Sequence, residues 1–513
     1  MLAAIVAVSL WSHLWGLRGD LPWAYASDEG EFAVMAIRMA ALGDANPHWF
    51  GHPGSTVLYP LAALFRVGNA IEAGHSPLAP DAELAARVGG DPGRYFWLGR
   101  LISVFFSVAS LPLVFLIGRR AYDEPAALVA TWLAVLSPLA LEHAQMLRTD
   151  SAGLFFGSLA LWLCLRVLDQ PSMRAHVLAG LALGAAIGTR YFLVTIVPVL
   201  LIADLVVLRR AAAPRAQRRP LLRCVLAALA CVALGFFVTT PYFFFDFSTV
   251  LANLEHEARS EHLGADGLGF AANLRWYLTD ALPSSMSLPT LALAGLGLLH
   301  ALWRRNVAAL LVALSVTTFL LAISSGNLHW QRWLIQVLPL LAILAAGALA
   351  TIAGAVARRL GGGRAAAAAL LLVLTVLLSF GPALAYVRFS LVQGKPSTRV
   401  AARQWMVANL APGSRIAADF YTAPLHDSAL VADYHFALAA DGSLEDYRRA
   451  GYDYLMVSDA IYGRYQLEPK RYPKEVAFYE TLLRKYQPVM RFTPREVGRG
   501  PLITVFALHP PTP

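Results

Sequence analysis

Acidic side chains follow the first apolar run of the chain, at a place where a membrane protein has few reasons to carry them. Met1 to Leu17 is apolar, and Asp28-Glu29, Gly43-Asp44 and His52-Pro53 come soon after it. A carboxylate held half out of water can have a raised pKa and accept a proton from a hydroxyl. The pair Asp28-Glu29 therefore suggests a reaction site at a membrane surface, and the alternative is a solvated loop or a helix N-cap.

Composition indicates a membrane protein. The chain has 513 residues, of which 57% are hydrophobic and 15% are charged, whereas a soluble domain carries about a quarter charged residues. Apolar runs recur without the period-two alternation of barrel strands. We predict a polytopic α-helical membrane protein. The net charge of +9 comes from clusters between the runs, which are typical of topology signals rather than of nucleic-acid binding.

About eleven spans are predicted from the apolar runs, whose lengths scatter around the roughly 20 residues that cross a bilayer. They lie near 1–17, 98–118, 125–142, 151–168, 177–189, 191–208, 221–240, 288–303, 306–323, 333–352 and 365–385. Arginine clusters such as Arg119-Arg120, Arg209 to Arg223 and Arg304-Arg305 mark the cytoplasmic side. The loops 18–97 and 241–287 and the tail then lie outside, and the predicted location is a bacterial cytoplasmic (inner) membrane.

The stretch from His176 to Leu208 has basic clusters on both flanks, so it must cross the membrane an even number of times. Gly188-Thr189-Arg190-Tyr191 can break it into two short helices, with the break near the outer face.

The outer loop 18–97 is too long for a simple connection. Phe32, Met35, Ala36, Met39 and Ala40 fall at helical spacing, as do Leu58, Leu61, Ala62 and Phe65. Both sets predict amphipathic helices on the membrane surface. Ordinary helices packed under the loop would make nearly the same pattern.

From Lys395 the composition becomes that of a soluble domain. Helix-like segments at Val400 to Leu410 and Val476 to Tyr486 alternate with β-rich runs at Arg415 to Phe420, Tyr454 to Ser458, Val489 to Phe492 and Leu502 to Leu508. The predicted organisation is a transmembrane domain over 1–385 and a small extracytoplasmic α/β domain over 386–513.

The order of several motifs resembles that of GT-C-class membrane glycosyltransferases. The motifs of the first outer loop are followed by Gly99-Arg100-Leu101, Gly118-Arg119-Arg120, Arg148-Thr149-Asp150, Gly180 to Gly184, Thr189-Arg190-Tyr191 and Arg332 with Pro339. The resemblance covers most of residues 25–350 and is strongest to protein O-mannosyltransferases and lipid A aminoarabinose transferases. Gly51 stands where an acid usually precedes His52, and Gly54 stands where a second proline is usual.

The resemblance implies that a sugar moves from a polyprenyl phosphate to an acceptor at the outer face, with inversion at the anomeric carbon. Asp28 matches the family's first-loop aspartate and is assigned the general base, while Glu29 orients the loop or the substrate. Asp150 matches the acid that opens the fourth span and faces the same cavity in the family. An N-cap role for Asp150 is compatible with this assignment.

Four cationic positions and one tyrosine are predicted to bind the substrate: His52, Arg100, Arg190, Tyr191 and Arg332. His52 takes the place of a lysine or histidine in the family, where a cation or a hydrogen-bond donor stabilises the leaving phosphate. The arginine fork suits bidentate phosphate binding, and Arg332 is the preferred phosphate ligand. Interfacial snorkelling is the alternative for each arginine alone.

No metal is obligatory if arginines and histidine supply the positive charge, although some GT-C enzymes use a divalent ion and the sequence leaves this open. Glu255-His256-Glu257 with Glu261-His262 could ligate a metal, but a solvated turn is favoured because the spacing fits no compact motif. The expected partners are a polyprenyl-phosphate-linked sugar, an acceptor protein, lipid or glycan, and membrane lipids.

Two other functions fit a chain with this many spans. A lipid or solute transporter or flippase would place ionisable groups near the bilayer midplane, often in repeated halves, and neither feature is clear in this sequence. An envelope polysaccharide ligase that lacks a lipid-phosphate donor would not bind polyprenyl phosphate.

Overall fold

The structure is a computed structural model that describes residues 1–23, 27–74, 76, 83–210, 215–259 and 262–509. Apolar helices lie at each predicted span, and together they form the main hydrophobic core. Their bounds are Leu2–Leu14, Pro92–Ala121, Glu124–Val135 with Pro138–Ala144, Asp150–Val167, Met173–Thr189, Tyr191–Arg210, Arg215–Thr239, Leu288–Arg304, Val307–Ser324, Leu338–Arg359 and Arg364–Gln393.

The predicted fold class, a polytopic helical membrane protein with a small sheet domain, is confirmed. Within the described ranges, 7 helices are long and apolar enough to cross a membrane, or 8 if the pair Glu124–Val135 and Pro138–Ala144, bent by 65°, is one span. Leu2–Leu14 and Met173–Thr189 have only 13 and 17 residues, fewer than the roughly 20 that a crossing needs. The total of eleven crossings therefore stays a prediction.

The predicted break near Gly188 is confirmed. The Met173–Thr189 helix ends there, Arg190 is extended, and a short 3₁₀ segment, Tyr191–Ile196, starts the next helix. Gly180 and Gly184 face the Arg215–Thr239 helix so closely that a Cβ on either would lie 2.3 Å from a backbone oxygen of that helix. Small residues four apart allow this kind of close helix packing in membranes.

The first outer loop folds into helices Ser27–Leu42, Ser55–Ala73 and Leu84–Gly90. The two predicted apolar stripes pack against each other: Phe32, Ala36, Met39, Leu58, Leu61 and Phe65 are all buried in one cluster. Other apolar side chains of these helices, including Val34, Leu42 and Ile71, are exposed, as expected for helices beside a membrane surface. These helices therefore pack into one compact unit, and the first of them carries Asp28 and Glu29.

Further short helices complete this end of the bundle. They are Tyr242–Phe245, Phe247–Glu257, Phe270–Trp276, the π-helical Tyr277–Ala281, Leu282–Ser285 and the 3₁₀ segment Gln331–Gln336. At the opposite end, Arg120 pairs with Asp169, with 2.5 Å between Nη2 and Oδ1. The Asn306 amide donates to the carbonyl of Ala121 there, at 2.7 Å. The basic clusters Arg119-Arg120 and Arg304-Arg305 thus lie away from the predicted site.

The C-terminal part contains a five-stranded mixed sheet in the order β2-β1-β3-β5-β4. The strands are β1 (Arg415–Asp419), β2 (Val431–His435), β3 (Tyr454–Ser458), β4 (Pro488–Phe492) and β5 (Ile503–Ala507). β1 is parallel to β2 and β3, and β5 is antiparallel to β3 and β4. Four of these strands match the predicted runs, and β2 was not predicted.

Helices cover both faces of the sheet. Met406, on the Thr398–Asn409 helix, packs with Ile416 and Ile503 on one face, while Tyr479, on the Pro473–Lys485 helix, packs with Leu455 and Phe506 on the other. The remaining helices are Leu438–Asp441, Leu444–Arg449, Asp459–Leu467 and Pro494–Val497. Alternate side chains of each central strand point to opposite faces, so both layers are filled.

The sheet domain contacts the outer loops directly. Asp266 is buried and accepts hydrogen bonds from Arg471 at 2.7 Å and from Tyr472 at 3.2 Å. Arg499 pairs with Asp20 at 2.8 Å, and the guanidinium of Arg403 lies 3.9 Å from the ring centre of Trp23. The last apolar helix extends to Gln393, beyond the predicted boundary at 385. These contacts fix the domain over the end of the bundle that carries the acids.

Candidate active site

Asp28 lies in the first turn of the Ser27–Leu42 helix, so it belongs to the helix rather than to a loop before it. Its Oδ2 accepts a hydrogen bond from Arg332 Nη1 at 3.0 Å and another from Arg148 Nη2. Asp28 is partly exposed, with 27% of its side chain accessible, while both arginines are largely enclosed. Three distant stretches of the chain therefore meet at one carboxylate.

Glu29 points away from Asp28 into the protein, where it is fully buried. Arg100 binds it with two parallel hydrogen bonds of 2.8 and 2.9 Å. The same guanidinium donates to the carbonyls of Leu17 and Gly19, and Glu29 also accepts from the backbone N–H of Leu147. The pair therefore fixes the turn that carries Asp28. The role of Glu29 in orienting the loop or the substrate and substrate binding by Arg100 stay predictions.

Asp150 is the first residue of its helix, and the N-cap is Thr149. The N-cap role considered for Asp150 is therefore wrong by one residue. Its buried carboxylate pairs with Arg190, which is itself largely enclosed. Gly153 makes room for this pair, because a Cβ there would lie 2.9 Å from Cδ of Arg190. An acid in the first helical turn is also favoured by the helix dipole.

Tyr191 follows the helix break, and its hydroxyl donates to the carbonyl of Phe50 at 3.0 Å. This contact ties the break to the segment that carries His52. Phe192, the next residue, packs against Trp333 with 4.8 Å between the ring centres and the rings tilted by 53°. The break thus brings Arg190 and Tyr191 beside the Gln331–Gln336 segment.

His52 lies 3.8 Å, Nε2 to Oε2, from Glu257 of the second outer loop, and its ring meets Trp49 edge-on at 5.3 Å. Burial lowers the pKa of His52, and the Glu257 carboxylate opposes that effect. A neutral imidazole can still donate a hydrogen bond, so the lowered pKa favours a donor over a fixed cation at this position.

Glu257 occupies the space next to Gly51. A Cβ on Gly51 would lie 2.8 Å from Cγ of Glu257. A carboxylate from the loop 241–287 therefore lies beside the position that precedes His52. Burial, with the charges of Asp28 and Glu257, raises the pKa of the neighbouring Glu31.

Two cavities meet at these residues. The larger, of about 740 Å³, is lined by Asp28, Arg148, His143 and Arg259 and by residues of the sheet domain. The smaller, of about 380 Å³, is lined by Arg190, Tyr191, Phe192 and Trp333. His52, Glu257, Arg259, Trp330 and Arg332 line both cavities. The site therefore has two compartments joined beside Asp28.

Arg332 lies at this junction, with its guanidinium 4.9 Å from the ring centre of Trp330. Its Nε is buried and has no hydrogen-bond partner in the described part of the chain. Buried N–H groups are normally paired. An anionic oxygen beside Arg332 would satisfy this donor, which fits the predicted phosphate ligand.

Sequence reasoning missed three parts of the site. Arg148 was quoted within a motif, but its contact with Asp28 was not predicted. Glu257 was considered only in a metal cluster, whose member Glu261 lies outside the described residues. Within the described ranges no group of three or more His, Cys, Asp or Glu side chains is placed to hold a metal ion. The third part is the set of aromatic side chains, Phe420, Tyr421 and Phe436, with which the sheet domain lines the larger cavity.

Comparison with known proteins bears on the family resemblance and on the fold. The family model of dolichyl-phosphate-mannose-protein mannosyltransferases matches residues 83–236. The predicted resemblance is confirmed. The predicted fold of the GT-C type is confirmed, and the family model that matches residues 83–236 is one of mannosyltransferases. No curated protein sequence matches the chain.

Solved structures share the GT-C fold over nearly the whole chain. ArnT from Cupriavidus metallidurans bound to undecaprenyl phosphate is 16% identical with a TM-score of 0.51, covering 99% of this chain and 98% of that one. The Archaeoglobus fulgidus oligosaccharyltransferase in complex with Zn and sulfate is 13% identical with a TM-score of 0.53, covering 97% of this chain and 72% of that one. At these identities the likeness concerns the fold.

Proposed function

We propose that this protein transfers a sugar from a polyprenyl phosphate to an acceptor at the outer face of the cytoplasmic membrane, inverting the anomeric carbon, with Asp28 as the general base. The observation that carries the proposal is the meeting of Asp28 with Arg148 and Arg332 at the junction of two cavities. The similar ArnT structure contains undecaprenyl phosphate. The basic clusters at the other end of the bundle favour an outward-facing site.

The smaller cavity suits the lipid donor. Apolar side chains of Leu254, Leu328 and Phe192 line it together with Arg190. The donor phosphate would lie at Arg332, whose Nε–H lacks a partner, and within reach of the His52 ring. Fixed donors at the leaving oxygen stabilise the charge that grows there as the glycosidic bond breaks. Asp150 holds Arg190 and so fixes one wall of this compartment.

The larger cavity suits the acceptor. The acceptor hydroxyl gives its proton to Asp28 while its oxygen forms a bond to the anomeric carbon. The bond from that carbon to the phosphate oxygen breaks, and polyprenyl phosphate leaves with the electron pair. One displacement from the opposite side inverts the carbon. When the donor phosphate takes Arg332, Asp28 keeps only Arg148 of the two arginines.

The test is release of undecaprenyl phosphate from a panel of undecaprenyl-phosphate sugars by the full-length protein in proteoliposomes supplied with protein, lipid and glycan acceptors. Asp28→Asn should slow release by at least about 100-fold, the usual contribution of a general base, while undecaprenyl phosphate still binds. Asp169→Asn, which changes an acid at the far end of the bundle, is the control. Full turnover by Asp28→Asn would refute the base assignment, and lipid translocation without release would favour the transporter alternative.

A further inference from the structure

The carboxyl ends of strands β1 and β2 face the larger cavity. Phe420 directly follows β1 and Phe436 directly follows β2, and both line the cavity that contains Asp28. β1, β2 and β3 are parallel, and the chain passes from β2 on one side of β1 to β3 on the other. In open α/β sheets, ligands bind outside the carboxyl ends of the strands at such a switch point.

Aromatic rings lie at these strand ends. Phe420 and Phe436 lie nearly parallel, 29° apart with 6.5 Å between ring centres, and they are 38% and 45% exposed. His262 lies 6.1 Å from Phe436 and 5.0 Å from Trp330. A row of rings therefore runs from the sheet domain to Arg332. Exposed aromatic faces in a concave site are characteristic of ligand pockets.

Two cations accompany the rings. The Tyr421 ring lies beside both Arg399, at 5.5 Å, and Arg464, at 5.2 Å. Their hydrogen bonds go to backbone carbonyls, from Arg399 to Tyr421 and from Arg464 to Leu263. Among the residues with described positions, neither guanidinium has a carboxylate within 4.0 Å, although both line the cavity. Asp20, which also lines the cavity, acts on the charge of Arg399 from a longer distance. Two partly buried guanidinium groups without a carboxylate in contact favour an anionic ligand.

We propose that Phe420, Phe436, Arg399 and Arg464 form an acceptor subsite and that the acceptor is an anionic saccharide, a sugar ring that carries a carboxylate or a phosphate. The proposal rests on the function proposed above and adds the acceptor class. The rings offer apolar faces to the C–H face of a sugar, and the arginine forks match either anion. A serine or threonine in a peptide presents neither a ring nor a charge.

The experiment measures binding to the full-length protein in nanodiscs. The probes are a labelled oligogalacturonate, a phosphorylated oligomannoside, their neutral counterparts of equal length, and a Ser/Thr-rich peptide. An anionic saccharide should bind at least about 10-fold more tightly than its neutral counterpart, the ratio expected for one charge-assisted contact. Comparing the first two probes decides between carboxylate and phosphate.

Variants locate the subsite. Arg464→Gln and Phe436→Ala should each weaken binding of the anionic probe by about 10-fold, and Arg464→Lys should retain part of it. Arg484→Gln, in which a highly exposed arginine outside the cavity is changed, is the matched control. Undecaprenyl phosphate binding, measured in parallel, should not change in any of these variants.

Several results would overturn the proposal. These are equal binding of neutral and anionic probes, preference for the peptide, unchanged binding by Arg464→Gln, or loss of undecaprenyl phosphate binding in that variant. Saccharide binding by a protein that turns over no lipid donor would instead refute the proposed function and leave the subsite intact.

Discussion

At the scale of single residues, the site combines a carboxylate held by two arginines with an imidazole whose pKa burial lowers. Asp28 contacts Arg148 and Arg332, while the Glu257 carboxylate lies 3.8 Å from His52. Asp28 and Asp150 also raise the pKa of His52, and Arg190 lowers it. A phosphate anion beside His52 would favour the protonated ring. The strength of lipid binding should therefore depend on pH through His52.

We expect the protein to bind undecaprenyl phosphate less tightly as pH rises past the pKa of His52, because the protonated ring is lost. This decrease is the His52 component of the affinity. Glu257→Gln should move this fall to lower pH, since the Glu257 carboxylate raises the pKa of His52. The change in affinity should be several-fold. Titrated binding between pH 5 and 8 measures it.

His52→Gln is the control for ionisation of the lipid phosphate itself and should abolish the His52 component. An identical pH profile in the wild type and in both variants would show that His52 does not take part in phosphate binding.

At the scale of elements, hydropathy predicted the helices because span length and apolar content follow from the bilayer itself. The break at Gly188 was also predictable, because glycine and the polar residues after it interrupt a local pattern. β2 was missed because Val431–His435 is a short outer strand whose residues are all at least partly exposed. Such a strand shows little alternation of apolar and polar residues.

The partners within the site were less predictable. Asp28 and Arg332 are 304 positions apart in the chain, and no local pattern pairs them. The same holds for Glu257, which fills the space beside Gly51 from another loop. The family resemblance identifies the candidate site residues. Their contacts with one another depend on tertiary packing and do not follow from the sequence.

The Glu29–Arg100 pair joins the first outer helix to the Pro92–Ala121 helix. We expect Arg100→Met to lower stability by about 3–5 kcal/mol, because it leaves a buried carboxylate without its partner. Thermal unfolding of the detergent-solubilised protein measures this loss.

The double variant Glu29→Met with Arg100→Met should be more stable than Arg100→Met alone, since no buried charge remains. If Arg100 instead acts mainly on the substrate, the single variant would keep its thermal stability and change only substrate binding.

At the scale of the whole molecule, the sheet domain depends on one buried acid at the end that faces the cavity. Asp419 accepts hydrogen bonds from the backbone N–H of Leu438 and from the Tyr479 hydroxyl, both at 2.8 Å. Burial raises its pKa to about 7, whereas an unfolded chain has about 3.9. The folded domain therefore holds a proton that the unfolded chain releases between these values.

The contribution of Asp419 to the free energy of unfolding should be largest below about pH 4. It should be lost as pH rises through about 7, because the unfolded state binds fewer protons than the folded state in that window. The loss should reach up to about 4 kcal/mol, at roughly 1.4 kcal/mol per pKa unit. Hydrogen exchange of the β1 segment in the full-length protein between pH 5 and 7.5 measures it.

Asp419→Asn should flatten this pH dependence, while Asp433→Asn, on the neighbouring strand β2, should leave it unchanged. A β1 segment whose protection rises with pH would contradict the assignment.

Arg332 touches Asp28 in the structure and is also the arginine best placed for a phosphate. An enzyme whose base is masked until its lipid arrives has little means of activating stray water in the meantime. Under the proposed chemistry, the same arginine would impose an order on the reactants, lipid first and acceptor second. An acceptor that arrived before the lipid would meet a carboxylate already occupied by two guanidinium groups.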